Sequence, residues 1–234
     1  MSYDKRLDGR KQDELRPIEA KVGVIKNADG SAFFRIGKTS AYVAVYGPKN
    51  IYPKFLSDPT KSVLRCHYNM MPFSGMGDRV RPGTNRRSKE ISMVTENALL
   101  PVMDLKDFPN SVIDVYIELP QTDAGSRCAG ICAASLALAD AGFVMKDLVA
   151  AVAVGRVDDK IVVDLDYQEE ALECENGVAD IPVAVMPQSG KITLLQMDGV
   201  VDPALLKEAL QTAQKVSKQI YEVQKEALKA KYKE

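Results

Sequence analysis

A short turn of small residues holding one arginine leads directly into an alanine-rich helix, and such a turn can bind an anion. Gly125, Ser126 and Arg127 stand between an apolar stretch ending near Leu119 and that helix. The first N–H groups of a helix have no partner within it, and the helix dipole makes this end positive. With a serine hydroxyl and a guanidinium as further donors, the turn is predicted to bind phosphate. The alternative is that Ser126 caps the helix and Arg127 lies in solvent.

A basic segment supplies a second set of candidate residues. Residues 74–90, SGMGDRVRPGTNRRSKE, combine glycine, proline and basic side chains, which predicts an exposed loop. Arg81, Arg86 and Arg87 are candidates for contacting a phosphodiester backbone, because neutralising each phosphate releases counterions. Tyr68, on the apolar stretch before this loop, is a candidate for stacking on a base. The alternatives are a solvated charged loop and a tyrosine that belongs to the core.

One acidic residue differs from its neighbours. Asp180 directly precedes Ile-Pro-Val-Ala-Val, which predicts a buried strand, whereas the acidic residues between 164 and 175 predict an exposed loop. A carboxylate beside a buried strand can hold a divalent metal or transfer a proton. The alternative, which the sequence alone favours, is that Asp180 caps the strand or pairs with an arginine.

The elements that must position these residues are predicted from hydrophobic periodicity and turn signals. Helices are expected from near Arg87 to before Pro101, from after Arg127 to Ala141, and from Asp202 onward. Strands are expected at 22–25, 32–36, 39–46, 64–70, 111–119, 149–157, 160–165, 181–186 and 191–197. The order predicts an α+β fold with helices packed on mixed or antiparallel sheets. We expect a single domain over 1–234, with an irregular arm at 1–20 and a C-terminal helix at 202–234.

Composition narrows the possible classes. The 234 residues are 46% hydrophobic and 27% charged, as in ordinary globular proteins. With 31 basic and 32 acidic side chains the net charge is −1, so an anion site must come from local clustering. Four cysteines and a single histidine without CxxC spacing argue against a zinc site. A signal peptide and long apolar runs are absent, which predicts a cytoplasmic protein that does not span a membrane.

Seven motifs in a fixed order resemble those of the RNase PH family, most closely its archaeal exosome branch. They are LDGRK with ELRP (7–17), ADGS (28–31), YNM with PF (68–73), RRS with EI (86–91), DAGSR (123–127), ADIPV (179–183), and LLQMDG (194–199) with the C-terminal helix. The resemblance implies the RNase PH core, built from βαβ elements like those of ribosomal protein S5 domain 2. It extends over almost the whole chain.

The resemblance also implies a 3′→5′ phosphorolytic exoribonuclease. Inorganic phosphate, the co-substrate, would attack the last phosphodiester of single-stranded RNA and release nucleoside diphosphates. In that family pattern the turn from Gly125 through Ser126 to Arg127 binds the phosphate, and Arg127 is also catalytic. The paired arginines 86 and 87 grip the RNA 3′ end. Asp180 is catalytic and binds Mg²⁺ or protonates the leaving oxygen.

The sequence departs from the family pattern in one acidic stretch. Active members usually carry a second aspartate upstream of the Asp180 equivalent, in a stretch like Tyr-x-Glu-Asp, where this chain reads Tyr-Gln-Glu-Glu at 167–170. Glu170 is the best replacement as a second Mg²⁺ ligand, and Glu173 or Glu175 could serve if the loop folds differently.

The implied partners are protein subunits as well as RNA. An inactive homologous subunit would alternate with this chain in a hexameric ring, three copies of each, with S1/KH-type RNA-binding cap proteins on one face. Two alternatives remain open. The chain could be a non-catalytic RNA-binding subunit of the same ring, which the altered acidic stretch would explain, or a stand-alone tRNA-trimming RNase PH.

Overall fold

The computed structural model describes residues 5–174, 176–231 and 233, and these form nine strands and four α-helices. The strands are β1 (Ile18–Val22), β2 (Gly30–Ile36), β3 (Thr39–Asn50), β4 (Val63–Met70), β5 (Ser111–Gln121), β6 (Ala150–Val157), β7 (Lys160–Val163), β8 (Val178–Met186) and β9 (Lys191–Leu195). The helices are α1 (Arg86–Leu99), α2 (Ser126–Asp140), α3 (Tyr167–Glu170) and α4 (Pro203–Ala230). This confirms the predicted α+β class.

The first sheet contains five strands in the order β1-β2-β3-β5-β4. Its neighbours run antiparallel, except for β4 and β5, which run parallel and make the sheet mixed. A parallel pair needs a crossover, and α1 with two following 3-10 turns lies in the chain between β4 and β5. The basic loop connects β4 to α1, so the fold places this loop at the end of β4.

The second sheet is antiparallel, in the order β7-β6-β8-β9. Its strand β8 begins at Val178, three residues before the predicted start, because Val178–Ile181 already pair with β6. Asp180 therefore lies inside the strand. Since successive side chains of a strand alternate between its faces, Asp180 points away from the buried Ala179 and Ile181.

Helix α2 lies between the two sheets, in contact with β2 and β3 of the first and β6 and β8 of the second. All but two of its fifteen residues are buried, so it is covered on nearly every side. Small side chains allow this close approach: a Cβ added to Gly30 on β2 would lie 2.3 Å from the Ala141 nitrogen at the end of the helix. Arg127 is one of the two residues left unburied, and it marks the end of α2 that opens to solvent.

Helix α4 packs on strands β6, β7 and β8 of the second sheet and also contacts β1 of the first sheet and helix α2. Asp202 accepts a hydrogen bond from Ala204 N at 2.8 Å and Pro203 is the first helical residue, as predicted from the sequence. The buried Gln224 donates to the carbonyls of Cys132 on α2 and Val149, which ties the helix to the core. Within the described residues, none of the helices combines the length and apolarity that a membrane span requires.

Strands β1 and β3 also differ from the boundaries predicted from the sequence. Strand β1 lies at Ile18–Val22, partly within the predicted irregular arm, and Gly23 at φ +69° ends it where the prediction had a strand begin. Strand β3 continues past Pro48 to Asn50, because a register shift against β5 accommodates the proline, which has no N–H to donate.

Candidate active site

A cavity of about 260 Å³ at the open end of α2 gathers most of the predicted site residues. Its lining includes Gly125, Ser126 and Arg127 from the turn, Arg87 from α1, and the carboxylates of α3 and β8, Glu170 and Asp180. A wider depression adjoins it and shares four of these side chains, those of residues 87, 127, 170 and 180. Basic and acidic groups from both halves of the chain therefore meet in one place.

The turn before α2 has the backbone shape that its sequence predicts. Ala124 and Gly125 both have left-handed backbones, at φ +55° and +61°, and the helix starts at Ser126. Glycine stands at the capping position, so no side chain there competes with a ligand for the first amide groups of the helix. Ser126 is not the cap, because it is the first helical residue, and its Oγ instead accepts a hydrogen bond from the Tyr68 hydroxyl at 2.9 Å.

The Arg127 guanidinium is held over the cavity. One of its terminal nitrogens donates to Oε1 of Gln196 at 2.5 Å, and the same nitrogen lies 3.9 Å from Oε1 of Glu90. The Gln196 amide in turn donates to Glu90 at 3.0 Å. Arg127 is thus oriented by Gln196, which directly follows β9, and by Glu90 on α1, and it does not extend freely into solvent.

The two carboxylates facing the arginines are partly buried. Glu170 ends the one-turn helix α3, which Asp166 caps by accepting from Glu169 N at 2.8 Å. Burial raises the pKa of Glu170 to about 7, and the nearby charge of Asp180 adds to the effect. Burial also raises the pKa of Asp180 to about 6, although Arg127 opposes the shift. Each carboxyl group can therefore hold a proton near neutral pH.

Asp180 has an unsatisfied acceptor. Its Oδ1 is buried and has no hydrogen-bond partner among the described residues. The backbone N–H and C=O of Asp180 both bond to the backbone of Asp198, whose exposed carboxylate lines the adjoining depression. A buried carboxylate oxygen without a donor is costly unless something else satisfies it. The described residues contain no group of three or more His, Cys, Asp or Glu side chains that could hold a metal, so a cation here would need other ligands as well.

A buried arginine connects the turn before α2 to the segment that leads into helix α3. Arg16 donates from Nε and a terminal nitrogen to the Asp164 carboxylate at 2.9 and 2.7 Å, and another terminal nitrogen donates to the carbonyl of Asp123. The Asp123 carboxylate accepts from Tyr167 N at 3.1 Å, at the start of α3. Thr39 supports the turn from β3, since its hydroxyl donates to Ala124 O at 2.7 Å. These contacts set the distance between Ser126 and Glu170.

The N-terminal arm supplies a second arginine to the same region. Arg6 is buried and makes a two-point contact with Glu169, from Nε at 2.8 Å and from a terminal nitrogen at 2.6 Å. It also donates to Val163 O and Asp164 O. Because Glu169 precedes Glu170, this contact fixes α3 from the side away from the cavity.

The predicted RNA contacts fall at different distances from the cavity. Arg86 and Arg87 form the first turn of α1, and both are exposed. Arg87 lines the cavity and Arg86 lines the adjoining depression. Arg81 is exposed in the loop but lines neither. Glu173 is exposed and also outside them, and Glu175 lies outside the described residues.

Tyr68 requires a correction. As a base-stacking residue it would need an open ring face, but it is only 4% exposed. It points from β4 toward α2, where its ring contacts Gly130. The pattern of β4 does not reveal this, since alternation shows which residues share a face and not which face is buried. His67, the exposed neighbour, stacks on Tyr116 instead.

Several residues of the site were not identified as site residues from sequence. Arg16, Asp123 and Asp164 hold the turn, and Gln196 holds Arg127. Asp123, Arg16 and Gln196 lie within the motifs that resemble the family, and this was the sequence feature that could have identified them. No sequence feature identified Asp164, because its partner Arg16 is 148 residues away in the chain.

Comparison with known proteins identifies the family. The description "3' exoribonuclease family, domain 1" matches residues 14–143, and "3' exoribonuclease family, domain 2" matches residues 147–216. The chain belongs to the RNase PH family of 3′ exoribonucleases. The two descriptions divide the chain between residues 143 and 147, although both sheets contribute to one continuous apolar core. The single domain predicted over 1–234 stays a prediction.

Archaeal proteins named exosome complex component Rrp41 are similar over nearly the whole chain. The one from Thermococcus kodakarensis is 54% identical over 228 residues, covering 97% of this chain and 90% of its own length. The one from Methanopyrus kandleri is 50% identical over 227 residues, covering 97% and 93%. The one from Nitrosopumilus maritimus is 46% identical over 228 residues, covering 97% and 91%.

Solved structures with lower sequence identity share the fold. Rice (Oryza sativa) Rrp46 superposes with a TM-score of 0.84 at 23% identity, covering 96% of this chain and all of its own. A chain of the Archaeoglobus fulgidus exosome, solved with RNA bound to the active site, gives a TM-score of 0.79 at 23% identity, covering 94% and 92%. These likenesses confirm the RNase PH core.

The raised pKa values make a prediction about stability. Because Glu170 binds its proton more tightly in the folded protein than in the unfolded chain, this preference favours folding at low pH and is lost as the pH rises from 4.5 toward about 7. Replacing Glu170→Gln should raise the free energy of unfolding by about 1 to 3 kcal/mol more at pH 8 than at pH 5. Urea denaturation without divalent metal measures this difference. The exposed Glu173→Gln is the control, and an equal effect of Glu170→Gln at both pH values would contradict the prediction.

The Arg16 network makes a second prediction. Arg16→Lys keeps the charge but cannot reproduce the two-point contact with Asp164 together with the bond to Asp123 O. We expect the free energy of unfolding to fall by about 1 to 3 kcal/mol in urea denaturation. The control is Arg35→Lys on β2, whose side chain is 51% exposed and pairs with Glu19 at the surface; it should change stability by less than about 0.5 kcal/mol. A similar loss of unfolding free energy in both variants would show that the buried network does not stabilise the protein more than a surface ion pair does.

Proposed function

We propose that this chain is the phosphorolytic subunit of an exosome complex, a 3′→5′ exoribonuclease that uses inorganic phosphate to shorten single-stranded RNA. One observation carries the proposal: the turn of Ser126 and Arg127 shares a cavity with Glu170 and Asp180. Phosphoryl transfer requires hydrogen-bond donors that bind a phosphate, and beside them groups that can hold a metal ion or a proton. The relatives named exosome complex component Rrp41 support the assembly.

The attacking phosphate would bind at the turn. The first amide groups of α2, the Ser126 hydroxyl and the Arg127 guanidinium are the donors available to it. Attack by phosphate in place of water requires that the phosphate be bound and held in line with the bond that breaks. The Gln196 contact supports this role, because it holds the Arg127 guanidinium at the cavity before a ligand arrives.

The RNA 3′ end would enter over α1. Arg86 and Arg87 would neutralise its last phosphates, and Arg81 would contact the strand farther out. A phosphate oxygen forms a bond to the terminal phosphorus while the bond from that phosphorus to the 3′ oxygen of the preceding nucleotide breaks. The departing 3′ oxygen must take a proton or be neutralised by a cation. Asp180 would serve in one of these two ways: its raised pKa lets it carry and give a proton, or its ionised carboxylate binds Mg²⁺. The products are a nucleoside diphosphate and an RNA one nucleotide shorter.

The two carboxylates also fit Mg²⁺. This ion is commonly held by one or two carboxylates, with water and substrate phosphate oxygens completing its shell. The buried Oδ1 of Asp180, unpartnered among the described residues, and the carboxylate of Glu170 would supply the protein ligands. When bound, Mg²⁺ would neutralise charge that develops on the reacting phosphoryl oxygens. Glu170 would then replace the aspartate that active family members usually carry.

The partners proposed for this chain are those of a ring. An inactive homologous subunit would alternate with it, three copies of each, and S1/KH-type cap proteins would bring RNA to the entrance. Tyr52 and Phe55, at 82% and 84% exposure, are large apolar side chains of the kind that subunit contacts cover. We propose that the complex acts in the cytoplasm.

The catalytic assignment is tested in the assembled complex. The chain is co-expressed with a ring partner and incubated with 5′-labelled poly(A), Mg²⁺ and phosphate. Asp180→Asn, which removes the acid and a metal ligand while keeping the shape, should lower the rate of ADP release at least about 100-fold. Arg127→Lys should lower it about 10- to 100-fold through weaker phosphate binding.

The control for both variants is Arg35→Ala, an exposed residue of β2 that lines neither the cavity nor the adjoining depression, which should keep the wild-type rate. An Asp180→Asn complex as active as the wild type would refute the assignment. A wild-type complex that binds poly(A) but releases no ADP would instead identify a non-catalytic ring subunit, with the altered acidic stretch as its explanation.

A further inference from the structure

The buried Tyr68 lies directly beneath the proposed phosphate site. Its ring contacts α2 at Gly130, where an added Cβ would lie 3.7 Å from a ring carbon. Gly130 follows Ser126 by four residues, so both are on the same face of the helix. The phenol therefore reaches the underside of Ser126, and the two hydroxyl oxygens are 2.9 Å apart.

The direction of this hydrogen bond is determined by burial. Within the described part of the chain, Ser126 Oγ is the partner recorded for the Tyr68 hydroxyl. A buried hydroxyl that donates to nothing costs about 1 to 3 kcal/mol, so the tyrosine proton points at Ser126. The Ser126 hydroxyl accepts the hydrogen bond from Tyr68, so its own O–H bond points in another direction and can donate there. The cavity that Ser126 lines is on that side.

We propose that Tyr68 is a positioning residue that turns the Ser126 hydroxyl into a fixed donor for inorganic phosphate. The inference rests on the proposed function and adds to it a residue that does not touch phosphate itself. With the tyrosine hydroxyl in place, the Ser126 hydroxyl donates a hydrogen bond to an anion at the turn. Without it, the serine hydroxyl is free to rotate toward other acceptors and loses part of its value as a donor.

The surroundings hold Tyr68 in the required place. Its backbone N donates to Ser92 Oγ at 2.9 Å, and that hydroxyl donates to Ser88 O at 2.7 Å, which fixes β4 against α1. On the other side β4 pairs in register with β5, Tyr68 opposite Ile117. Burial raises the pKa of Tyr68, so the phenol keeps its proton at neutral pH.

The test is a double-mutant cycle on the assembled complex, with inorganic phosphate as the probe. Calorimetry measures phosphate affinity without RNA, and ADP release from poly(A) gives KM for phosphate and kcat. Tyr68→Phe keeps the ring and removes only the hydroxyl. We expect it to weaken phosphate binding and raise KM about 5- to 20-fold, with kcat at saturating phosphate and poly(A) affinity changed less than about threefold.

The second arm of the cycle isolates the pair. In a Ser126→Ala background, Tyr68→Phe should have no further effect on phosphate affinity. The matched control is Tyr221→Phe on α4, which removes a tyrosine hydroxyl hydrogen-bonded to Gln188 far from the cavity and should leave phosphate affinity unchanged. Urea denaturation of each variant confirms that the complexes compared are folded.

Two outcomes overturn the inference. One is an unchanged phosphate affinity in Tyr68→Phe, and the other is the same loss with and without Ser126. A selective loss of poly(A) affinity would also overturn it and would assign Tyr68 to RNA contact. If the wild type binds phosphate with the predicted cycle but releases no ADP, the inference stands and the proposed function fails.

Discussion

The contact between Arg16 and Asp164 is the interaction on which the site geometry depends. It is buried, with both side chains almost excluded from solvent, and a buried charge must be paired to be tolerated. The pair joins segments 148 residues apart, and the same guanidinium reaches the carbonyl of Asp123 beside the turn before α2. Space for it is limited, because a Cβ added to Gly37 would lie 2.5 Å from Arg16 Cδ. The turn before α2 and helix α3 therefore keep one relative position.

Because these elements are held in place, arginines and carboxylates can line the same cavity without forming close ion pairs with one another. Arg127 is directed by Gln196 and does not form a close ion pair with Asp180, whose carboxylate has an unsatisfied oxygen. If the arginine neutralised the acid directly, neither would be free for a substrate. The cost is visible in the raised pKa values of Asp180 and Glu170, since burial penalises their charged forms. Binding of a cation or an anion can offset the free-energy cost of burying these charges, and such perturbed pKa values are common at active sites.

The features predicted correctly from sequence are backbone features that neighbouring residues in the chain determine. The turn at Gly125 and Ser126 follows from a glycine before a helix, and a cap at Asp202 from the proline after it. The Arg16 network could not be predicted, because its partners meet only when the two sheets pack on α2. Tyr68 was assigned to the wrong role for a related reason: a strand pattern cannot say which face the helix will cover. The family motifs flagged several of these positions without giving their contacts.

We propose that phosphate, and not water, attacks the RNA. The most direct measurement supplies the assembled complex with ³²P-labelled inorganic phosphate and unlabelled poly(A), and then locates the label in the released nucleotide. Phosphorolysis predicts ADP that carries the label in its β-phosphate, formed one equivalent per nucleotide removed, because the attacking phosphate becomes part of the product. Unlabelled AMP, released at the same rate with or without phosphate, would show that water is the nucleophile and would contradict phosphorolysis.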